Sequence, residues 1–190
     1  MRSFLFAAVI SLAAVPAFAS GPGGQTYTEK KYFSVVIPSG WARHDAALGL
    51  SAEEKKVYGA EFLGPASGEL SSSISVHYYA PGNLVQKTYR KFIKLHSKPA
   101  LGANPDGNVY GEVKDGKAGN YYAKVFERRI FEYFPKNSMN PKKMDIYESY
   151  AVVPAKKGFF VLRYYSPLDI AKANKQAYES VLASFKPLLP

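Results

Sequence analysis

Apolar and polar side chains alternate over residues 72–79. Ile74, Val76 and Tyr78 fall on one side, Ser73, Ser75 and His77 on the other. A period of two is the mark of a strand with one buried face. Residues 32–37 form a dense β-branched and aromatic run bounded by Pro38-Ser39-Gly40, which predicts an earlier strand and a turn. Trp41 follows directly and is expected to pack back over the sheet edge. Residues 57–63, stopped by Gly64-Pro65, read as another strand, as do 108–114, 120–134, 144–153 and 159–165. Asp115-Gly116-Lys117 and Ala155-Lys156-Lys157-Gly158 are the expected tight connections, and 101–107 and 135–143 are polar loops.

Two segments switch to a helical period. From Asn83, with Gln86 three residues on as in a capping arrangement, Val85, Tyr89, Phe92, Ile93 and His96 recur on one face. Lys87, Lys91, Lys94 and Lys98 recur on another, and Pro99 ends the run. Near the C-terminus Ile170, Asn174, Ala177, Tyr178, Val181, Leu182 and Phe185 repeat at spacings of three and four. Ser166 is the expected cap, Pro167 suits the first turn, Asp169 complements the helix dipole, and Pro187 terminates the element. Ser51-Ala52-Glu53-Glu54 matches a capping box for a single turn. The order is strands, helix, strands, helix, without regular alternation. It predicts an α+β domain over residues 31–190, with a largely antiparallel sheet and helices packed on it.

The first nineteen residues change the picture of where the protein works. Arg2 supplies a positive start, residues 4–15 are almost wholly apolar, and Ala17-Phe18-Ala19 is a small-x-small cleavage site. The apolar run falls short of the roughly 20 residues a membrane span needs. Export to a periplasm or the exterior, with cleavage between Ala19 and Ser20, is the expectation, and 20–30 reads as a flexible leader. The chain has no cysteine. Disulfides, thiolate zinc sites and cysteine nucleophiles are thereby excluded. No membrane insertion is expected after cleavage.

The net charge of +10 favours anionic partners. Acidic envelope components are expected rather than nucleic acid, which charge alone permits but that compartment does not supply. The positive side chains concentrate on the first helix, where Lys87, Arg90, Lys91, Lys94 and Lys98 gather on or near one side. They read either as an ordinary solvated face or as an electrostatic dock.

Catalytic chemistry finds little support. His44, His77 and His96 stand at no metal-ligand spacing with one another, and His96 lies on an apolar helix face. No Gly-x-Ser-x-Gly elbow occurs. The glycine-rich stretches lack the lysine and the strand-then-helix context of a phosphate loop. Glu127 and Glu148 are candidates for a carboxylate pair only because both lie in predicted strands. The simpler expectation is that Glu127, Arg129, Glu148 and Arg163 form cross-strand ion pairs on an exposed or edge part of the sheet. Fifteen tyrosines include the adjacent pairs Tyr78-Tyr79, Tyr121-Tyr122 and Tyr164-Tyr165. In a strand, each pair sends one ring to either face, which suits a sheet covered on both sides.

A strand ending Ile37-Pro38-Ser39-Gly40-Trp41, a central helix, and a final strand running through Ser166-Pro167 into a helix that ends Ser184-Phe185-Lys186 together resemble the PsbP-like and DcrB-like exported proteins. The likeness covers nearly all of the chain beyond the export segment, and its motifs are structural. It implies an α/β/α sandwich around an antiparallel sheet, with Trp41 and Phe185 as core or edge residues. It also implies an accessory or assembly role with no shared catalytic residues. The expected function is therefore a non-enzymatic, monomeric accessory protein without a cofactor, docking onto an envelope protein or anionic surface. Two alternatives stand beside it. One is a small-ligand-binding module with an aromatic pocket between sheet and helix, and the other is a hydrolase with an unrecognised site.

Overall fold

The structure is a computed structural model that describes residues 24–45, 49–99, 104 and 107–189. The expected export segment and cleavage site, and most of the loop at 101–107, lie outside the described residues.

One large antiparallel sheet organises the chain. Its strands run in the order β3 (Ala42–His44), β4 (Val57–Ser67), β5 (Leu70–Tyr79), β10 (Phe159–Pro167), β9 (Lys142–Pro154), β8 (Tyr121–Phe134) and β6 (Val109–Tyr110). β7 (Lys114–Ala118) also pairs with β8. A small sheet, β1 (Gln25–Glu29), β2 (Phe33–Ile37) and β11 (Lys186–Pro187), packs on one face beside α3 (Leu168–Ser184). The opposite face carries α2 (Tyr89–His96). The result is an α/β/α sandwich in which every pairing among the described residues is antiparallel.

β10 shows why two covers are needed. Phe160, Leu162 and Tyr164 join Phe33, Val35, Ile74, Val76, Tyr178, Val181 and Phe185 in the core beneath α3. Phe159 and Val161 join Phe92, Phe126, Tyr150 and Val152 beneath α2. The strand is apolar almost throughout because both of its faces are buried. Tyr78 and Tyr79 divide between the same two cores. Burying such side chains contributes about 1.5–3 kcal/mol each before entropy is counted.

Several expectations shift in physically instructive ways. Residues 25–29, read as leader, form β1, because β2 presents a free edge that Thr26, Tyr27 and Thr28 complete. β4 does not stop at Gly64-Pro65: the register slips there and pairing resumes at Ala66, so the proline sits at a bulge, where its missing N–H costs no ladder bond. Asp115-Gly116-Lys117 lies inside β7, and the turn falls at Gly119 (φ +55°). A side chain at Gly119 would collide with the carbonyl oxygen of Phe185, which the last helical turn brings alongside. Ser166 does not cap α3: its hydroxyl is buried against that of Ser72 at 2.8 Å, and the cap position is Pro167.

The short helix α1 (Ala52–Lys55) carries the capping box that the sequence announced, with Ser51 and Glu54 bonded reciprocally. Trp41 lies over Gly64 of β4, at the sheet edge as expected. Phe185 is a core residue.

Candidate functional site

α2 starts five residues later than the sequence suggested, with its cap at Thr88 instead of Asn83. Asn83 accepts from the backbone N–H groups of Val85 and Gln86 and so closes a tight turn instead of a helix. Thr88 takes the extended conformation, and its hydroxyl accepts from the N–H of Lys91 at 3.2 Å, which makes it the true N-cap. Val85 therefore stands in the exposed turn and not on the buried face.

The inner face of α2 is fixed by aromatic contacts. The ring of Phe92 lies 5.7 Å from Tyr79, 6.0 Å from Phe159 and 6.1 Å from Tyr150. His96 stacks on Phe92 at 4.3 Å and on Tyr150 at 5.4 Å. With that face anchored, helical geometry turns Arg90, Lys91 and Lys94 outward, and Lys87 and Lys98 flank them. All five cations predicted as a docking face are exposed. None of the five forms an ion pair with a carboxylate among the described residues. Leu95 interrupts them at 47% exposure, and Leu84 (69%) and Val85 (51%) are bare in the preceding turn. The surface is thus cationic with apolar points.

Beneath the far end of α2 lies a buried ionic cluster. Glu148 is fully buried between Arg128 and Arg163. Arg163 Nε donates to Glu148 Oε1 at 2.8 Å, the Arg128 guanidinium donates to Oε2, and the Tyr150 hydroxyl donates to Oε1 at 2.9 Å. Arg128 also reaches the main-chain oxygen of His96 at 3.3 Å and the Tyr150 hydroxyl at 3.2 Å. The cluster therefore ties the last turn of α2 to the centre of the sheet, with positive charge placed at the negative end of the helix. Burial works to raise the Glu148 carboxyl, but the guanidinium groups of Arg163 and Arg128 outweigh it and hold the group below its ordinary range. Burial lowers His96 to about 4, helped by Arg128 and Arg163, while Glu148 pulls the other way.

The strand charges thus differ from the exposed, edge arrangement predicted for them. Glu148 sits in an internal strand, and its partner on β8 is Arg128, not Arg129. Glu127 and Arg129 belong to the opposite face, where Glu127 pairs with Lys175 of α3 at 2.9 Å. A Glu127–Glu148 catalytic pair is therefore ruled out by register: Arg128 faces Glu148, and Glu127 faces Ser149, so the two carboxylates leave opposite sides of the sheet. The sequence signal was the period of two from Arg128, which becomes readable only once the β8–β9 register is known.

Of the remaining candidates, His44 is exposed opposite Glu61 on β3 and β4, and Asp45 pairs with Arg43 at 2.8 Å. His77 is half-buried and stands opposite Gly59. Among the described residues, no three His, Asp or Glu side chains gather as a metal site. No helix among them is long and apolar enough to cross a membrane. What the described residues supply here is a charged helix face anchored on an aromatic and ionic core.

These layers define the PsbP-like fold. The solution structure of cyanobacterial PsbP from Synechocystis superposes with a TM-score of 0.50 at 14% identity, over 92% of this chain and 98% of that one. A crystal structure from Bacteroides thetaiotaomicron superposes with a TM-score of 0.51 at 12% identity, over 87% of this chain; the chain spans about half of that protein (48%). LpqN of Mycobacterium tuberculosis, involved in cell envelope biogenesis, matches at a TM-score of 0.45 and 15% identity, over 86% and 84% of the two chains. No family model matches the chain, and no curated protein matches it in sequence. The resemblance read from the strand, helix and turn motifs is borne out at the level of fold.

Proposed function

We propose that the chain is an exported, non-enzymatic accessory protein that docks through the outer face of α2 onto an acidic face of an envelope protein. The observation that carries this reading is the set of five exposed cations on α2 and its flanks, none with a carboxylate partner among the described residues. Charge of one sign left unneutralised on a rigid helix steers association and specifies a partner of opposite sign. Leu95, Leu84 and Val85 offer the apolar contact that the core of such an interface needs. The expected export segment supports a partner in the envelope.

The test is a quantitative comparison of the chain without residues 1–19 and its Lys91→Glu/Lys94→Glu variant, each used to recover partners from the native envelope at low salt. A protein retained by the first, lost by the second and released by high salt supports the reading. Identical recovery by both chains overturns it. A parallel flotation with phosphatidylglycerol vesicles decides against a protein partner if only vesicles bind in a Lys91- and Lys94-dependent way.

A further inference from the structure

A largely apolar cleft lies at the β9–β10 hairpin, on the face of the sheet opposite the one that carries α2. It has a volume of about 610 Å³, within the roughly 300–1,000 Å³ usual for ligand sites. Its inner wall is Tyr78, Val153 and Phe160, all nearly fully buried. Tyr121 at the start of β8 and Leu189 after β11 form the outer wall, and the lip is Lys156 and Lys157 of the hairpin turn.

Three features make this a formed site. The Tyr78 hydroxyl donates to the main-chain oxygen of Lys157 at 2.7 Å, so the one polar group on the inner wall is already satisfied and pins the turn. Gly158 (φ +75°) keeps that turn tight, since a side chain there would strike the carbonyl oxygen of Tyr79 and the ring of Tyr78. Tyr78 packs on Phe160 at 4.9 Å, which fixes both rings from behind. The interior thus offers an incoming molecule mainly apolar surface.

The lip decides what that molecule is. Lys156 and Lys157 are exposed, neither pairs with a carboxylate among the described residues, and no acidic residue lines the cleft. An apolar body below two free ammonium groups matches a molecule built the same way. We infer that this cleft binds a single-chain amphiphile with an anionic head, the chain lying against Tyr78, Val153, Phe160 and Tyr121 and the head meeting Lys156 and Lys157. The cleft and α2 lie on opposite faces of the sheet, so the ligand and the proposed dock occupy separate surfaces.

The experiment is a titration of the chain without residues 1–19 with laurate, dodecyl phosphate and dodecanol, followed by calorimetry and by amide shifts. Binding of laurate or dodecyl phosphate at least tenfold tighter than dodecanol is expected, with shifts at the 155–158 turn; whichever of the two binds more tightly identifies the head as carboxylate or phosphate. Lys156→Glu/Lys157→Glu should weaken that binding at least tenfold. Ala155→Trp, which fills the cleft from its rim, should abolish it while thermal unfolding remains that of the parent. Lys91→Glu/Lys94→Glu should leave it unchanged, which separates this site from the proposed dock. Equal affinity for dodecanol, no binding of either anion, or binding unaltered by the lip and Ala155 variants would overturn the inference.

Discussion

Arg128 and Glu148 stand directly opposite one another on β8 and β9, and the guanidinium that pairs with the buried carboxylate also donates to the main-chain oxygen of His96. One arginine therefore joins the centre of the sheet to the last turn of the basic helix. The proposed docking surface thus lies on a helix whose last turn is tied to the sheet by this bond.

Glu148→Gln keeps the shape and removes the charge, leaving Arg128 and Arg163 without their counter-ion in a buried site. Breaking a buried pair in this way costs about 3–5 kcal/mol. Urea unfolding should show the midpoint falling with little change in slope. A loss below about 1 kcal/mol would mean that the guanidinium groups find water instead, and that the cluster does not hold α2.

Acid should loosen the same region. His96 and His77 are both held down to about 4, in each case chiefly by burial. For His77, Glu61 opposes that shift and Arg163 adds to it. A histidine in the unfolded chain titrates near ~6.5, so below that pH the unfolded state takes up protons that the folded state refuses. Stability is complete above about pH 6.5 and is lost progressively as pH falls towards about 4. Glu148, held low by its arginines, adds its own loss at the acid end, as pH falls through the carboxylate range. His96→Phe keeps a ring against Phe92 and Tyr150 and removes one titration. Its melting temperature should fall less than the parent's between pH 7 and 4.5, and an unchanged slope would clear His96 of this role.

Gly64 and Trp41 make a contact that any side chain would break. A Cβ at Gly64 would lie 2.6 Å from the indole, and the neighbouring Pro65 and the bulge leave the strand little freedom to yield. Gly64→Ala should cost about 1–3 kcal/mol, the usual range for overpacking. Because Trp41 is the chain's one tryptophan, its emission should shift to the red as the ring is displaced. In a Trp41→Ala background the same glycine change should cost much less, a coupling that a double-mutant cycle measures.

Thr88→Ala removes the cap that starts α2. A loss of about 1 kcal/mol is expected. Asn83→Ala should leave helix content unchanged and instead release the turn at Val85 and Gln86, since Asn83 bonds only there and to Ala80. Helix content by circular dichroism, compared between the two variants, distinguishes the cap from the turn.

Much of the fold was legible because its signals are local. The alternation at Ile74, Val76 and Tyr78, the repeat through Tyr178 and Val181, and the Ser51–Glu54 box each reflect the geometry of a single element and stand in the structure. The edges of these readings shift: α3 ends at Ser184, Phe185 is its extended cap, Pro187 lies in β11, and Ser73 and Ser75 on the other side of β5 are buried too. Arg90, Lys91 and Lys94 of α2 were likewise visible, because a helix exposes at fixed spacing whatever it does not bury, whereas Lys87 and Lys98 lie in the segments that flank it. Helix starts were less legible: Asn83 and Thr88 are both good caps, and only the seating of Phe92 between Tyr79 and Phe159 selects the second.

Composition and periodicity alone determined an antiparallel α+β protein with no thiol chemistry and a basic helix, and raised the expectation of export. Tertiary structure decided the rest, because it depends on register and on chain segments that meet from far apart. A shift of one residue between β8 and β9 would exchange Arg128 for Arg129 and carry Glu148 to the other side of the sheet. The buried cluster under α2, the separation of Glu127 from Glu148, and the cleft that joins Tyr78, Tyr121, Phe160 and Leu189 all follow from that long-range pairing. No local pattern encodes such pairing, because each partner's environment is set by the strand beside it.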